Sequence, residues 1–455
     1  MRRTVRLLAF LLTVILLAAS RSLTWAAEPP AARLTLAEAV ATGLREHPVL
    51  RAAGHGVEAA EARVGAARAG FLPRVDFSEG FARSNNPVFA FGTKLDQGRF
   101  APEDFAIDRL NRPDPTSNFQ TRLSLTQSLF AGGQTLRGME RAGLEAQAAG
   151  ATRSRVAHEV AFGVARAYYG VLDAQERLGV AEAAVRTAQG NRDLIRDRFQ
   201  VGLVVEADLL AAEVRLAALE QEVIAARNGL EVARATLNDA MGVPLERAFD
   251  LADALGERPP RFGLGANLEQ VALEHRPDYR ETALREDAAR KAVQAARGAF
   301  LPSLDLRAGY ELNHFNPTAN GQDNWSVGVV FAVNLFQGGA DRARLQEAAA
   351  AVERVRALRA RQASSIRLEV QRAARDVRTA REQVAVAARA VGQAEERLRM
   401  TRDRYGAGLT TIVDLLAAES ALTEARGNRA QALVRDNVSV AALEFALGTI
   451  DAAAF

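Results

Sequence analysis

Two long stretches of the chain place an apolar residue at every third or fourth position. In the second stretch the spacing alternates between four and three residues without a break, at Ile366, Val370, Ala373, Val377, Ala380, Val384, Ala387, Val391, Ala394 and Leu398. The first stretch keeps this spacing from Val160 to Ala188 and departs from it at Arg192. A mean spacing of 3.5 residues is typical of helices that pack as coiled coils. The pattern predicts two very long helices, over residues 136–199 and 341–404, each roughly 95 Å long at about 1.5 Å per residue.

Four shorter segments alternate apolar and polar residues one by one. In the clearest of them one face carries Trp325, Val327, Val329 and Phe331, and the other carries Asn324, Ser326 and Gly328. Such alternation is typical of β-strands with one apolar and one polar face. Glu79 is an exception, because it falls on an apolar side. The pattern predicts strands at about 74–83, 118–130, 303–313 and 324–336.

Glycine and proline positions divide the remaining sequence into shorter helices. A first helical segment in each half, at about 36–70 and 268–298, ends at Phe-Leu-Pro, where proline stops a helix. Each predicted long helix is followed by a glycine-containing turn and by a return helix about half as long, at 206–240 and 412–447. The chain is therefore predicted to form tall helical hairpins whose turns lie far from the strands.

The two halves of the sequence repeat each other at constant offsets in numbering. Phe71-Leu72-Pro73 recurs as Phe300-Leu301-Pro302, whereas the segments 129–133 and 208–213 share a smaller offset and recur at 335–339 and 414–419. The first copy therefore holds 23 extra residues, which lie in a long connection at about 84–118. We divide the chain into a first structural repeat, residues 28–262, and a second structural repeat, residues 263–455. One hypothesis is that the longer connection covers a pore mouth.

The N-terminal segment has the pattern of a secretory signal peptide. Met1–Arg6 is cationic, Leu7–Ala19 is apolar, and the small residues Ala26 and Ala27 follow. The apolar run is shorter than the roughly 20 residues that a spanning helix needs. We therefore expect a signal peptide over residues 1–27 and an exported mature chain without a transmembrane α-helix.

Composition and charge exclude several functional classes. The 455 residues include no cysteine, which excludes disulfides, thiolate metal sites and cysteine nucleophiles. Without the four arginines of the signal segment, 54 basic side chains face 55 acidic ones, which is not the charge balance of a nucleic-acid-binding protein. The five histidines are dispersed, and no nucleotide-binding or hydrolase motif is found. The sequence predicts no enzyme activity, no catalytic residue, no cofactor, no metal site and no nucleic-acid partner.

The predicted strands impose a condition on how the chain assembles. Four strands are too few to close a β-barrel, for which about eight is the practical minimum. An open sheet edge is not tolerated in lipid, because unpaired backbone groups find no water there. Two, three or four chains sharing one barrel would supply eight, twelve or sixteen strands. A small soluble sheet on a periplasmic helical bundle is the alternative, although strands with a polar inner and an apolar outer face favour an outer-membrane barrel.

The whole mature chain resembles the TolC-like outer-membrane efflux channels, also called outer membrane factors. The resemblance rests on the duplicated order of elements, on Phe-Leu-Pro before the first strand, on Leu-Phe-x-Gly-Gly before each long helix, and on paired tip motifs at 198–203 and 404–409 that Asp-Leu-Leu follows. It implies a mainly α fold with a small β part, in which a homotrimer forms a twelve-helix periplasmic barrel of coiled-coil hairpins. This helical barrel would join a shared twelve-stranded β-barrel in the outer membrane.

The resemblance also implies a function and partners. The channel would give passive exit to substrates that an inner-membrane pump of the RND, ABC or MFS type delivers through a periplasmic adaptor (membrane fusion) protein. Efflux of small molecules or metals and type I secretion of polypeptides both fit this plan, and the sequence does not specify which substrate passes.

Particular residues acquire roles through the resemblance. The turns that contact the adaptor are matched by Val201, Gly202, Leu203, Ala407, Gly408 and Leu409. Asp208, Tyr405 and Asp414 match positions at the closed periplasmic aperture. Some relatives carry a second carboxylate three residues after the position of Asp414, where this chain has Ala417, so only a single acidic ring is implied. The context Thr411-Ile412-Val413-Asp414 also predicts a helix cap, worth about 0.3–1 kcal/mol, and the two roles can coexist.

Two other functions fit parts of the sequence. A soluble periplasmic coiled-coil adaptor or scaffold protein accounts for the long helices, but not for strands whose apolar faces suit lipid. An uptake porin accounts for the strands, but not for helices of this length. We therefore expect an outer-membrane channel with a periplasmic extension, which contacts outer-membrane lipid, two further copies of itself, an adaptor and a pump.

Overall fold

The computed structural model describes residues 33–263, residue 265 and residues 267–451, so the predicted signal peptide lies outside the described residues. The helices are α1 (Leu36–Glu46), α2 (Pro48–Arg68), α3 (Pro87–Asp96), α4 (Ile107–Asn111), α5 (Gln134–Gln200), α6 (Glu206–Met241), α7 (Leu268–His275), α8 (Pro277–Gly298), α9 (Ala340–Gly406) and α10 (Ile412–Leu447). The strands are β1 (Arg33–Leu34), β2 (Arg74–Ser84), β3 (Thr116–Ala131), β4 (Asp250–Leu251), β5 (Ser303–His314) and β6 (Gln322–Ala332).

The long helices α5 and α9 each contain 67 residues, which gives a length of roughly 100 Å. Each begins after a glycine in the left-handed region, Gly133 at φ 78° and Gly339 at φ 84°, a conformation that glycine adopts without strain. Ile366, Val370 and Val377, which belong to the apolar pattern of the sequence, are buried. The 3.5-residue spacing therefore marks the packed face of the helix.

The shorter helices follow one another along the long ones. α6 and α2 both pack against α5, α10 packs against α9, and α8 packs against both long helices. Gly242 ends α6, and a Cβ atom at Gly242 would lie 2.7 Å from the Cα atom of His47, directly before α2. Gly448 ends α10, and a Cβ atom there would lie 2.9 Å from the Cα atom of Arg276, directly before α8. Each return helix therefore ends against the start of the next short helix.

The first helical segment of each repeat is divided, which corrects the prediction of one continuous helix at 36–70 and at 268–298. α1 ends at Glu46 and α2 begins at Pro48, with His47 in an extended conformation between them. Arg276 has the same conformation before Pro277. Proline has no backbone N–H and disfavours helical angles in the residue before it, so the chain must bend at these positions.

The larger sheet is antiparallel and has the strand order β2-β3-β5-β6. Arg74 pairs with Thr126 at the base of the first hairpin, and Ser303 pairs with Ala332 at the base of the second. Among the described residues, β2 pairs only with β3 and β6 only with β5, so both strands are sheet edges. A separate two-stranded parallel sheet joins β1 to β4.

The two faces of the larger sheet differ in polarity as the sequence pattern predicts. One face exposes large apolar side chains, among them Val75, Phe77, Phe81, Trp325, Val327 and Phe331. The other face carries an ion pair between Arg122 Nη2 and Glu311 Oε1 at 2.7 Å. Glu79 lies on the apolar face, where the Thr121 hydroxyl on the neighbouring strand donates to its carboxylate at 2.5 Å. This cross-strand hydrogen bond provides a partner for the one acidic residue that breaks the pattern of β2.

The last strand is shorter than predicted, because β6 ends at Ala332 and not at residue 336. Ala332 pairs with Ser303, the first residue of β5, and Pro302 precedes it without an N–H to extend the ladder. The equivalent strand β3 continues to Ala131, because its last residues pair with β5.

The long connection between β2 and β3 contains helices that the sequence analysis did not predict. The Asn86 carboxamide oxygen accepts from the N–H groups of Val88 and Phe89, and Pro87 occupies the first helical position of α3. This pairing of a cap residue with proline is a common helix start. The Gln97 side chain donates to the Ser117 carbonyl at 2.8 Å, which ties the connection to β3. The hypothesis that this segment covers a pore mouth stays a prediction.

The main core lies where α5 meets α1, α6 and α10. Its centre is Tyr168, whose ring is fully buried. The Tyr168 hydroxyl lies 2.9 Å from the Leu34 carbonyl and 2.7 Å from Asp253 Oδ2, which ties the small sheet to the long helix. Within the described residues, none of the helices has the combined length and apolar character that crossing a membrane requires.

Candidate functional site

The ends of the two helical hairpins are turns of the same kind. In the first turn the Gly202 N–H donates to the Phe199 carbonyl at 3.0 Å and the Leu203 N–H donates to the Arg198 carbonyl at 2.9 Å. The second turn makes the equivalent bonds between the corresponding residues of the second repeat. This Schellman motif needs a left-handed residue, and Gly202 and Gly408 supply it with φ of 73° and 72°. The repeated tip motifs of the sequence thus form equivalent turns.

Both tips expose apolar side chains. Every predicted tip residue is exposed, namely Val201, Gly202, Leu203, Ala407, Gly408 and Leu409. Leu203 is 71% exposed and Leu409 is 68% exposed. Val205 and Val413 lie beside them and are also exposed, although the sequence analysis did not select them. Exposed apolar side chains that cluster at one end of a molecule are typical of protein contact surfaces.

Arg198 connects the two hairpins just behind the tips. Its guanidinium group donates to the Tyr405 carbonyl at 2.8 Å and to the Gly406 carbonyl, at the C-terminal end of α9. The guanidinium carbon also lies 5.3 Å from the centre of the Tyr405 ring. Three contacts of one side chain of α5 therefore hold the end of α9. Arg198 stands in the repeated tip motif, and that repetition was the available signal for a residue the sequence analysis left out.

Tyr405 is buried between the hairpins. Its ring is 4% exposed and belongs to a small apolar cluster with Ile195 of α5 and Leu415 of α10. Among the described residues the Tyr405 hydroxyl has no hydrogen-bond partner. Burial raises the pKa of the Tyr405 hydroxyl, and the negative charge of Asp208 raises it further. The charge of Asp208 therefore acts on the Tyr405 hydroxyl through space, and among the described residues no hydrogen bond joins the two side chains.

Asp414 caps α10. Its carboxylate accepts from the hydroxyls of Thr410 at 2.7 Å and Thr411 at 2.8 Å, and from the Thr411 N–H at 3.2 Å. The Thr411 hydroxyl accepts in return from the Asp414 N–H, which completes a capping box. These hydrogen bonds, with that from Thr410 foremost, lower the pKa of the Asp414 carboxyl. The predicted capping role therefore describes its local structure, and Asp414 stays ionised on an exposed surface.

Asp208 occupies the equivalent place at the start of α6 but is held differently. The residue before α6 is Val205, which has no side chain that can cap the helix. Among the described residues the Asp208 carboxylate makes no hydrogen bond, while Thr411 and Thr410 hold its counterpart Asp414. The two aspartates of the repeated Asp-Leu-Leu segment are thus not interchangeable.

A buried carboxylate lies beyond the capping box on α10. Glu419 is 6% exposed, and its Oε1 atom has no hydrogen-bond partner among the described residues. Burial raises the pKa of Glu419 to about 7, although the positive charges of Arg215 and Arg402 act in the opposite direction. Sequence analysis missed Glu419 because its counterpart Glu213 has the same neighbours in the repeated segment. Glu213 is exposed in the structure, so the repeated sequence does not indicate which of the two glutamates is buried.

The site has no arrangement of metal ligands. Within the part of the chain that the structure describes, no group of three His, Asp or Glu side chains is placed to hold a metal ion. The residues predicted at the aperture instead lie among hydrogen bonds and an apolar cluster that hold two hairpins together.

Comparison with known proteins gives one consistent family. The sequence model of the family described as "Outer membrane efflux protein" matches residues 39–243 and 268–449. These two matches correspond to the two repeats and leave out the connection between them. The family and the structural neighbours are channel proteins rather than enzymes.

Individual proteins show the same relationship over most of the chain. The alkaline protease secretion protein AprF of Pseudomonas aeruginosa is 28% identical over 396 residues, covering 85% of this chain and 78% of AprF. The proteases secretion protein PrtF of Dickeya chrysanthemi is 25% identical, covering 97% of this chain and 92% of PrtF. The crystal structure of the Campylobacter jejuni CmeC outer membrane channel has a TM-score of 0.77 at 19% identity, covering 91% of this chain and 86% of CmeC. At that identity the structural likeness shows the fold alone.

Proposed function

The chain belongs to the outer membrane efflux protein family, and we propose that three copies of it form one channel that gives substrates passive exit from the cell. Family membership confirms the predicted resemblance to TolC-like channels, the mainly α fold with a small β part, and the outer-membrane location with a periplasmic extension. It favours an efflux or secretion channel over a soluble periplasmic adaptor. The trimer, the adaptor and the pump are parts of the proposal.

The observation that carries the proposal is the open sheet with a lipid-compatible face. Trp325 on β6 is 76% exposed, and Phe77 on β2 is 70% exposed. β2 and β6 are also the edges of the sheet. In lipid such edges must find partners, since no water is present to bond their backbone groups. Further copies of the same sheet provide those partners, and three copies supply twelve strands, a number sufficient for a barrel.

The opposite end of the chain supports the proposed aperture and docking site. We assign Asp208, Tyr405 and Asp414 to the periplasmic aperture, where Arg198 holds the two hairpins together. The exposed tips 201–203 and 407–409 form the surface that contacts a periplasmic adaptor, whose matching surface must be apolar. An inner-membrane pump then delivers its substrate through that adaptor into the tunnel.

Single-channel recording in planar bilayers tests this function, and two variants separate the roles of Asp414. Asp414→Asn removes the charge but keeps an oxygen that can cap α10, so we expect a modest rise in basal conductance. Thr411→Ala removes the capping hydroxyl and keeps the charge, so it should destabilise the start of α10 by about 1 kcal/mol with little change in conductance. An unchanged conductance in Asp414→Asn would leave Asp414 as a helix cap only, and the absence of channels in the wild type would overturn the proposal.

The relatives favour a class of passenger. AprF and PrtF are both named for protease secretion, and we propose a secreted polypeptide as one substrate of this channel. Expression of this chain in a strain that lacks its own protease secretion channel, together with the matching pump and adaptor, tests the proposal. Protease in the culture medium is the expected result, and protease retained in the cells contradicts it.

A further inference from the structure

The edge strands β2 and β6 are the repeat counterparts of β5 and β3, which already pair with each other within the chain. β5 repeats β2 at the offset that relates the two Phe-Leu-Pro segments, and β6 repeats β3 at the offset that relates the two Leu-Phe-x-Gly-Gly segments. The two hairpins have the same register, because Arg74 pairs with Thr126 and their counterparts Ser303 and Ala332 also pair. The β3–β5 ladder is therefore the joint between two equivalent hairpins.

We infer that β6 joins β2 of a second copy of this chain in the register of the β3–β5 ladder, an inference that rests on the proposed shared barrel. In the existing ladder Ser124 pairs with Gly309. In the duplication Ser124 corresponds to Val330 and Gly309 corresponds to Gly80, so this pair becomes Val330 opposite the partner's Gly80. The same operation applied to the other pairs of the ladder defines every contact of the joint between subunits.

The inferred ladder begins with Trp325 opposite the partner's Asn85 and ends with Gln337 opposite the partner's Arg74. The ladder can end at Asn85, because Pro87 begins α3 two residues later and has no N–H that could donate to a ladder. The inferred joint therefore occupies the whole of β2 and stops where the helical connection begins.

This register gives a partner to a segment that has none within one chain. Residues 333–336 continue the alternation of β6 but are unpaired in the structure, and Phe336 is 84% exposed. They correspond to residues 127–130, the part of β3 that extends beyond β2 and pairs only with β5. Leu335 corresponds to Leu129, the bulge residue of β3, and stays without a direct partner in the inferred ladder. In the assembly the partner's β2 takes the place of β5. The predicted strand over 324–336 is then complete only when two chains meet.

The side chains fit this register on both faces. Val329 opposes the partner's Phe81 and Val333 opposes the partner's Phe77, so apolar outward residues meet at these two positions. Phe331 opposes the partner's Glu79 and Val327 opposes the partner's Arg83. A shift by one residue would place outward residues opposite inward ones. On the inner face Gly328 and Ala332 oppose the partner's Ala82 and the partner's Ser78, all of them small. The joint within the chain instead carries the ion pair of Arg122 and Glu311. Backbone hydrogen bonds and close approach of the strands therefore hold the joint between subunits.

Disulfide formation in the full-length chain tests the register, because the natural sequence contains no cysteine. Directly opposed residues have Cβ atoms about 4.5–5.5 Å apart, whereas diagonal neighbours are about 7–8 Å apart and too distant for a disulfide. We therefore expect Gly80→Cys with Val330→Cys to give covalent dimers and trimers in outer membranes after mild oxidation. The yield should exceed by at least about fivefold that of Gly80→Cys with Gly328→Cys or with Ala332→Cys.

The equivalent pair within the chain is the matched control. Ser124→Cys with Gly309→Cys should form a disulfide without any increase in mass, which shows that the oxidation suits this ladder. Equal or greater cross-linking of a displaced pair overturns the register, as does the absence of cross-linking at 80 and 330 while the control pair reacts. Trimers that conduct in planar bilayers despite such a result would leave the proposed function intact, whereas single chains without conductance would overturn both.

Discussion

Arg198 and Tyr405 show how single residues connect the two halves of this chain. Arg198 belongs to the first repeat and donates to the Tyr405 carbonyl at the end of α9 in the second repeat. Its counterpart Arg404 is exposed and has no such contact with the first repeat among the described residues. The duplication therefore supplies two equivalent arginines, and packing uses one of them as a connection between hairpins.

The first prediction concerns this connection. Arg198→Ala removes two charge-assisted hydrogen bonds between hairpins, for which a loss of about 1.5 kcal/mol per chain is expected. Such a loss changes the ratio of separated to joined hairpins within one chain roughly tenfold. Single-channel recordings should show a higher basal conductance for Arg198→Ala, while Arg404→Ala stays at the wild-type level. Equal effects of the two substitutions would show that the connection has no special role in closing the aperture.

Glu419 predicts a dependence of stability on pH. Its pKa is raised from 4.5 to about 7 in the folded chain, so the folded state binds the proton more tightly than the unfolded state. The stabilisation that proton binding at Glu419 gives to the folded chain is fully present below about pH 4.5 and is lost as the pH rises through about 7. Glu419→Gln should therefore stabilise the chain at pH 8, by up to about 3 kcal/mol, and leave its stability near pH 4 unchanged.

Thermal unfolding in detergent, followed by circular dichroism at pH 4, 6 and 8, measures this effect. Glu213→Gln is the matched control, because Glu213 is the exposed counterpart of Glu419 in the first repeat. A midpoint in Glu419→Gln that changes with pH as steeply as in the wild type would contradict the assignment.

The residues of the site were only partly predictable from the sequence. The tips were predictable, since a glycine turn between two helices leaves its neighbours exposed whatever else they touch. Arg198 and Glu419 were not selected, because the repeat gives each a counterpart with the same neighbours in sequence and a different environment in space. Burial of one member of such a pair depends on how the two hairpins pack, and no local pattern records it.

At the scale of elements, the end of each return helix is fixed by a glycine. Gly242 has φ 71°, and a side chain there would contact His47 Cα and Pro48 Cδ at 2.7 and 2.9 Å. Gly448 makes the equivalent close approach to Arg276. At these two junctions the close contacts align the short helices end to end along the long helices.

We predict that Gly242→Ala destabilises the chain by about 2 kcal/mol or more, because alanine disfavours the left-handed region and the added methyl group has no space. Gly229→Ala in the same helix is the control, since a Cβ atom there meets nothing within 4 Å, and it should be neutral or slightly stabilising. Thermal midpoints of the two variants compare the effects directly. Equal midpoints would show that the junction tolerates a side chain.

Helices and strands were the most predictable part of this protein, for physical reasons. The 3.5-residue spacing in α9 and the alternation in β5 follow from which faces are packed, so the pattern and the structure coincide. The bend at His47 was visible in Pro48 but was overlooked within a continuous helical pattern. The helices of the 84–118 connection are short and depend on the cap at Asn86 and on contacts with the sheet, which periodicity does not detect.

At the scale of the whole molecule, one chain contains two repeats that are similar but not identical. Its sheet has free edges, its outward face is apolar, and its helical hairpins end in exposed apolar tips. In the proposed channel a further copy covers the edges, lipid covers the outward face, and an adaptor covers the tips. Three copies together complete one conduit in the proposed channel.

The mass of the detergent-solubilised protein shows whether three copies assemble. Multi-angle light scattering, with the contribution of the detergent subtracted, gives the number of chains in each particle. We expect three chains per particle over a range of protein concentrations. Particles of one chain, or a folded protein that stays in solution without detergent, would contradict the proposed channel.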